Sequence, residues 1–181
     1  MMTEEFILEK QKQAAEFTRE HGIVLTPEEE KHIEICDYEL GNYDQIGTAI
    51  VIYVNTDRCC AKEMILSPWQ LCPEHYHPAI GENPGKEETF RCRFGEVFLY
   101  VPGEPAEHPL GRIPSERAEA FTVWHEIHLL PGEQYTMHPN TKHWFQAGPE
   151  GAIISEFSTH SVDKMDVFTD KDITRLSNLD D

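Results

Sequence analysis

A chain of 181 residues, 39% of them hydrophobic, is long enough to bury a sizeable core and short enough to form a single domain. Fifteen Lys and Arg against 33 Asp and Glu leave a formal charge of -18, which argues against nucleic acid and anionic membrane as partners. Five cysteines, with Cys59 and Cys60 adjacent, form no even secretory framework and read as the reduced thiols of a cytoplasmic protein. The N-terminal stretch MMTEEFILEKQKQAAEF is acidic and amphipathic, unlike a signal peptide, and no segment approaches the length of a membrane span.

The first quarter reads as helical. Phe6, Ile7, Ala14, Ala15 and Phe17 recur at roughly helical spacing among charges, with Gly22 as the stop. Thr26 before Pro27, followed by Glu28, Glu29 and Glu30, predicts an N-capped second helix with acids at the positive end of its dipole. From Gly47 the period changes to two. TAIVIYVNT, CCAKEMILS, TFRCRFGEVFLYVPG, FTVWHEIHLLPGEQYTMHP and GAIISEFST alternate like strands and are separated by Gly, Pro, Asn and Asp turns. Many short strands joined in this way predict an all-β, single-domain barrel or jelly roll with short N-terminal helices at one end. The expected division is a helical segment over residues 1–46 packing on the barrel, the barrel over 47–160, and a C-terminal tail over 161–181. The charged tail, THSVDKMDVFTDKDITRLSNLDD, reads as a partly ordered surface segment.

Histidine spacing carries the chemistry. On a strand, residues i and i+2 share a face, so His75 and His77 point into one cavity and Tyr76 points away. Glu88 opens the alternating set Glu88, Phe90, Cys92 and Phe94, and a carboxylate on such an apolar face needs a partner. His143, after the turns at Pro131-Gly132 and Pro139, can return to the same cavity. Three imidazoles and one carboxylate leave two positions open on an octahedral ion, and the ligand mix suits Mn, Fe, Ni or Co better than a closed structural zinc site. His125 and His128 flank Glu126 on a strand and face opposite sides, which suits structural roles. His21, His32, His108, His138 and His160 read as surface groups. No CxxC pair exists, so the cysteines read as inert thiols.

HYHPAIGENPGKEETFRCRFG and GEQYTMHPNTKH resemble the two strand motifs of the cupin family, the first with six residues between Glu88 and Gly95. The chain departs from the pattern in the ten residues between His77 and Glu88 and in the missing glycine before His75. The longer gap leaves Glu82 and Glu87 open beside Glu88, with the spacing to Gly95 favouring Glu88. CAKEMILSPWQLCPEHYHP, NPGKEETFRCRFGEVFLYVPGE and LPGEQYTMHPNTKHWFQAGPEGAIISEFST are similar to the D-lyxose isomerases within the cupins, over residues 55 to 175. That resemblance implies a cupin jelly-roll barrel, Mn2+ as cofactor with Co2+, Fe2+ and Ni2+ as substitutes, a small sugar substrate and a homodimer. It implies conversion of D-lyxose to D-xylulose, and of D-mannose to D-fructose, through a cis-enediol.

Moving a proton between C1 and C2 needs a base that is not a metal ligand. Glu156 places a charge in the apolar strand AIISEFST directly after the His143 strand, and the resemblance gives a late-strand glutamate the proton-carrying role. Lys62, in CCAKEMIL, shares a face with Cys60 and Met64; an ammonium there stabilises a developing enediolate, and the resemblance makes it the catalytic and substrate-binding lysine. The opposite register, with Glu63 inward, stays open. Arg175, in DITRLS, returns from the tail either to contact substrate or to brace a dimer. Two other functions fit the same fold: an iron dioxygenase, and a non-catalytic module that binds a sugar or metabolite.

Overall fold

The computed structural model describes residues 2–176. Helix α1 spans Glu4–Glu20 and α2 spans Pro27–Lys31. Thr3 caps α1 by accepting from the Phe6 amide, and Thr26 with Glu29 closes a reciprocal capping box on α2. Gly22 follows α1 with φ 81°, a left-handed conformation that ends the helix.

Among the described residues nine strands follow: β1 Glu34–Cys36, β2 Thr48–Asn55, β3 Cys60–Leu66, β4 Leu71–Tyr76, β5 Glu88–Val101, β6 His125–Leu129, β7 Gln134–Met137, β8 His143–Ser158 and β9 Val167–Phe168. They form one curled sheet of antiparallel pairs, ordered β1-β2-β3-β8-β4-β9, with β5 pairing β6, β7 and β8. This is the all-β, single-domain, half-barrel architecture expected from the period-two segments.

The long strand β8 organises the curl. Its C-terminal half runs between β3 and the first half of β5, while its N-terminal half runs between β4 and the second half of β5. Register shifts in β5 around Cys92–Phe94 and Gly95–Val97 bend it where the two halves meet. The sheet is therefore wrapped so that His143 and Glu156, near opposite ends of one strand, face one interior.

Strand β3 and the first half of β2, Thr48 to Val51, are buried on both faces. Ile50 and Met64 point to the barrel interior with Phe90 and Phe145, while Ala49, Val51 and Ile65 pack outward beneath Ala14, Ala15, Phe6 and Phe17 of α1. The helix is thus a cover for one outer face of the sheet. A short strand, β1, lies within residues 1–46 and pairs with β2. No helix among the described residues is long and apolar enough to cross a membrane.

The surface-tail expectation holds only in part. Residues 163–165 form a 3-10 turn, β9 pairs with β4, and Ser161 and Phe168 are buried. Residues 177–181 of the expected tail lie outside the described residues.

Gly95 sits at the bend with φ 72°, where an added Cβ would lie 2.0 Å from the Gly151 carbonyl oxygen. Backbone cannot yield there as a flexible side chain would. We predict that Gly95→Ala lowers unfolding free energy by about 3 kcal/mol, read by urea denaturation; a loss under about 0.5 kcal/mol would contradict the bend's dependence on glycine.

Candidate active site

The interior of the curl holds a pocket that gathers residues from β3, β4, β5, β8 and the C-terminal segment. On β4 and just past its end, His75 and His77 both face it, and His75 is the cross-strand partner of His143 at the start of β8. The ligand nitrogens of these three histidines lie within 4.8 Å of one another, and all three are buried. Glu88, first residue of β5 and 2% exposed, brings Oε1 to 3.1 Å from His77 Nε2 and 3.2 Å from His143 Nε2. Glu82 and Glu87 are exposed, so the alternatives for the carboxylate lie away from the cluster.

The ring orientations are fixed from behind. His75 Nδ1 meets the Pro73 carbonyl at 2.9 Å, His143 Nδ1 meets the Thr141 carbonyl at 2.9 Å, and His77 Nδ1 meets Asp166 Oδ1 at 2.6 Å. A carbonyl or carboxylate only accepts, so each Nδ1 is the protonated nitrogen and Nε2 is directed at the cluster. His143 Nε2 is buried without a hydrogen-bond partner: Glu88 is near enough, but lies in a direction that makes no hydrogen bond. A buried, unpartnered lone pair aimed at two imidazoles and a carboxylate is what a cation would satisfy. These four side chains therefore fit a divalent metal.

Charge states agree with this reading. Burial, then the neighbouring imidazoles, holds His75 well below the usual histidine range, and burial also lowers His143 despite Glu88 beside it. Burial opposes the charged form of His77, but Glu88 and Asp166 outweigh it and push its pKa up to about 9. Burial works against ionised Glu88 too, yet Lys86 and the histidines keep it well below the ordinary carboxylate range. A cation entering the cluster would replace the His77 proton between the same groups.

On the adjoining wall, Lys62 and Glu156 are cross-strand partners on β3 and β8, and both line the pocket. This settles the register left open in the sequence, since Glu63 instead accepts from Ser155 Oγ at 2.6 Å and does not line the pocket. Lys62 Nζ donates to both carboxylate oxygens of Asp163, at 2.8 and 2.6 Å, and to Ser161 Oγ at 3.1 Å. Burial disfavours its charge, but Glu156 and Asp163 reverse that and raise its pKa. Arg175 comes back from the C-terminal segment to line the same pocket, where it pairs with Glu34 of β1 and stands 3.7 Å from Asp163. Its guanidinium is engaged within the chain.

Three residues of the pocket were not picked out from the sequence. Lys86 Nζ lies 2.8 Å from Glu88 Oε2 and 2.8 Å from Glu156 Oε1, so one ammonium joins the carboxylate beside the histidine cluster to the candidate base. Its signal was present: it precedes Glu88 by two residues and shares its face. Asp163 and Asp166 had no such signal, because their partners lie 101 and 89 residues away. His125 and His128 have the structural roles expected, facing the Glu104 carbonyl and Glu96.

No family model matches the chain. It is 52% identical to the D-lyxose/D-mannose isomerase of Thermosediminibacter oceani over 181 residues, covering 100% of both chains. It is 55% identical over 168 residues to the D-lyxose ketol-isomerase of Cohnella laeviribosi, covering 93% of this chain and 92% of the relative. The chain belongs to the D-lyxose isomerase family. This makes it an isomerase, and sets aside both the dioxygenase and the non-catalytic binding module. In fold it resembles L-ribose isomerases: that of Acinetobacter sp. DL28, solved with L-ribose, superposes with a TM-score of 0.79 at 16% identity over 95% of this chain and 94% of that one. That of Cellulomonas parahominis gives 0.73 at 19% identity over 93% of each chain. The half-barrel fold described above is thus shared with these L-ribose isomerases.

Asp163 supplies a pH test. Burial opposes its charge, but Lys62, Lys86 and Arg175 hold it well below the ordinary carboxylate range. A depressed carboxylate contributes stability above its unfolded value and loses it as pH falls toward its folded one. We predict that Asp163→Asn costs about 3 kcal/mol near neutral pH, by leaving Lys62 without its partner. The gap to the parent should shrink by about 1 kcal/mol between pH 5 and pH 3, measured by chemical denaturation. A gap that does not change with pH would contradict the ion network.

Proposed function

We propose that this family member interconverts D-lyxose and D-xylulose, and D-mannose and D-fructose, as a metal-dependent ketol-isomerase. The observation that carries the reading is the meeting of two devices in one pocket: the His75, His77, Glu88 and His143 cluster, and Glu156 standing apart from it but linked through Lys86. The names of the relatives support the sugar pair.

In this reading His75, His77, Glu88 and His143 hold Mn2+, with Co2+, Fe2+ or Ni2+ as substitutes. Such an ion, when bound, supplies a Lewis acid that stabilises negative charge developing on the two sugar oxygens. Glu156 takes the proton from C2 of the aldose, leaving a cis-enediolate, and returns it to C1 while the O2 proton passes to O1, which gives the ketose. Lys86 keeps Glu156 oriented through its 2.8 Å contact, and an ammonium has a third N–H to offer a substrate oxygen. Lys62 adds a second positive charge to the same wall, and Arg175, through Asp163, holds Lys62 in place and completes the substrate-binding end. Ile50, Met64, Phe90, Phe145 and Phe168 line the rest of the pocket and limit water around the enediol. The free cysteines suit a reducing cytoplasm, and a homodimer is the assembly we infer from the family.

The test is ketose formation from a panel of aldoses by chelator-stripped protein, before and after refilling with manganese. Activity should vanish on stripping and return with the ion, with D-lyxose and D-mannose among the substrates. Glu88→Gln should lose metal and turnover together, whereas Glu156→Gln should keep metal and lose about 10²–10⁴-fold in kcat. Full activity in the Glu156→Gln protein would remove Glu156 as the base.

A further inference from the structure

The three imidazoles of the cluster are held by two different devices. His75 and His143 each donate Nδ1–H to the carbonyl two residues earlier, Pro73 and Thr141, both at 2.9 Å. Those anchors are local and neutral, and they come with the strand. His77 lies just past the end of β4 and has no such anchor. Its Nδ1 meets a carboxylate oxygen of Asp166 at 2.6 Å, from a residue 89 positions further along the chain. Both side chains are 9% exposed, so water does little to dilute the contact.

Asp166 is delivered by a specific arrangement of the C-terminal segment. The 3-10 turn Asp163–Met165 ends directly before it, and β9 follows, pairing Val167 with Tyr76 and Phe168 with His75. Beyond β9, Thr169 is fastened to Glu74 twice, through its amide to the Glu74 carbonyl at 3.0 Å and through its hydroxyl to the Glu74 carboxylate at 2.6 Å. Glu74 neighbours His75 on β4, so the segment is registered against the strand that carries the histidines. The contact between Asp166 and His77 is therefore held by its surroundings on both sides.

A carboxylate behind an imidazole does more than a carbonyl does. It fixes the tautomer and ring plane, and its charge raises the electron-donating power of the opposite nitrogen. We infer that Asp166 is a positioning residue that makes His77 the strongest imidazole ligand of the cluster, so that metal retention depends on the docked segment 163–169. The inference rests on the reading of the histidine cluster as a divalent-metal site. The segment would then be part of the metal centre without contributing a ligand to it.

The experiment is a Mn2+ titration of the metal-stripped full-length protein, with the free ion followed by its electron paramagnetic resonance signal. Asp166→Ala removes both acceptor and charge and should weaken Mn2+ binding 10–100-fold. Asp166→Asn keeps an acceptor oxygen and removes the charge; it should fall between Asp166→Ala and the parent, and it decides the matter if Asp166→Ala fails to fold. Melting temperatures of the metal-free parent and Asp166→Asn proteins should agree within a few degrees, which separates a loss of ligand strength from a loss of fold. Parent protein that binds Mn2+ while Asp166→Asn and every folded Asp166 variant bind it within twofold of the parent would overturn the inference and leave the metal site standing. Parent protein that takes up no Mn2+ would overturn both.

Discussion

The structure turns on keeping charge inside an apolar curl of sheet. Four carboxylates, from Glu88, Glu156, Asp163 and Asp166, line a pocket with three cations, from Lys62, Lys86 and Arg175, against Ile50, Met64, Phe90 and Phe145. Any one of these charges alone in such surroundings would cost several kcal/mol or lose its ionisation. They persist because each is matched within hydrogen-bonding distance: Lys86 between Glu88 and Glu156, Lys62 on Asp163, Arg175 on Glu34, His77 on Asp166. His77, its pKa pushed up to about 9, carries a further positive charge beside Glu88 and Asp166, and a divalent ion entering the cluster would take the place of that proton.

The fold serves this arrangement by bending a few long strands. Strand β8 presents His143 at one end and Glu156 near the other, and β5 brings Glu88 into register opposite Ser158, two residues past Glu156. The left-handed Gly95 lets the sheet close tightly enough for both ends to share an interior. Helix α1 takes no part in the pocket; it covers the outer face of β2 and β3 so that the inner face can be given over to function. The C-terminal segment supplies the acids that no strand supplies.

Much of this was legible in the residues. The capping box at Thr26, the stop at Gly22 and the period-two strands are local features, and local sequence specifies them. His75 and His77 declared themselves by their spacing, Glu88 by a charge on an apolar alternation, and Glu156 by the same anomaly in β8. Lys86 was equally legible at two residues before Glu88. What was not legible depends on long-range return of the chain: Asp163 and Asp166 sit in a segment whose charges resemble a solvated tail until β9 pairs with β4. The choice between Lys62 and Glu63 likewise required the register of β3 against β8, which period-two alternation leaves ambiguous by one residue.

With Glu156 standing apart from the histidine cluster as a candidate base, the account predicts isomerisation by proton transfer and not by hydride shift. The most direct measurement is conversion of D-lyxose by the manganese-loaded enzyme in D2O, with the ketose examined for deuterium at C1 by NMR. A carboxylate that takes the C2 proton exchanges it with solvent in a fraction of turnovers, so the account predicts deuterium at C1 in part of the product and conversion slowed about 10²–10⁴-fold in Glu156→Gln protein. D-xylulose formed at full rate with no solvent deuterium at C1 would contradict it.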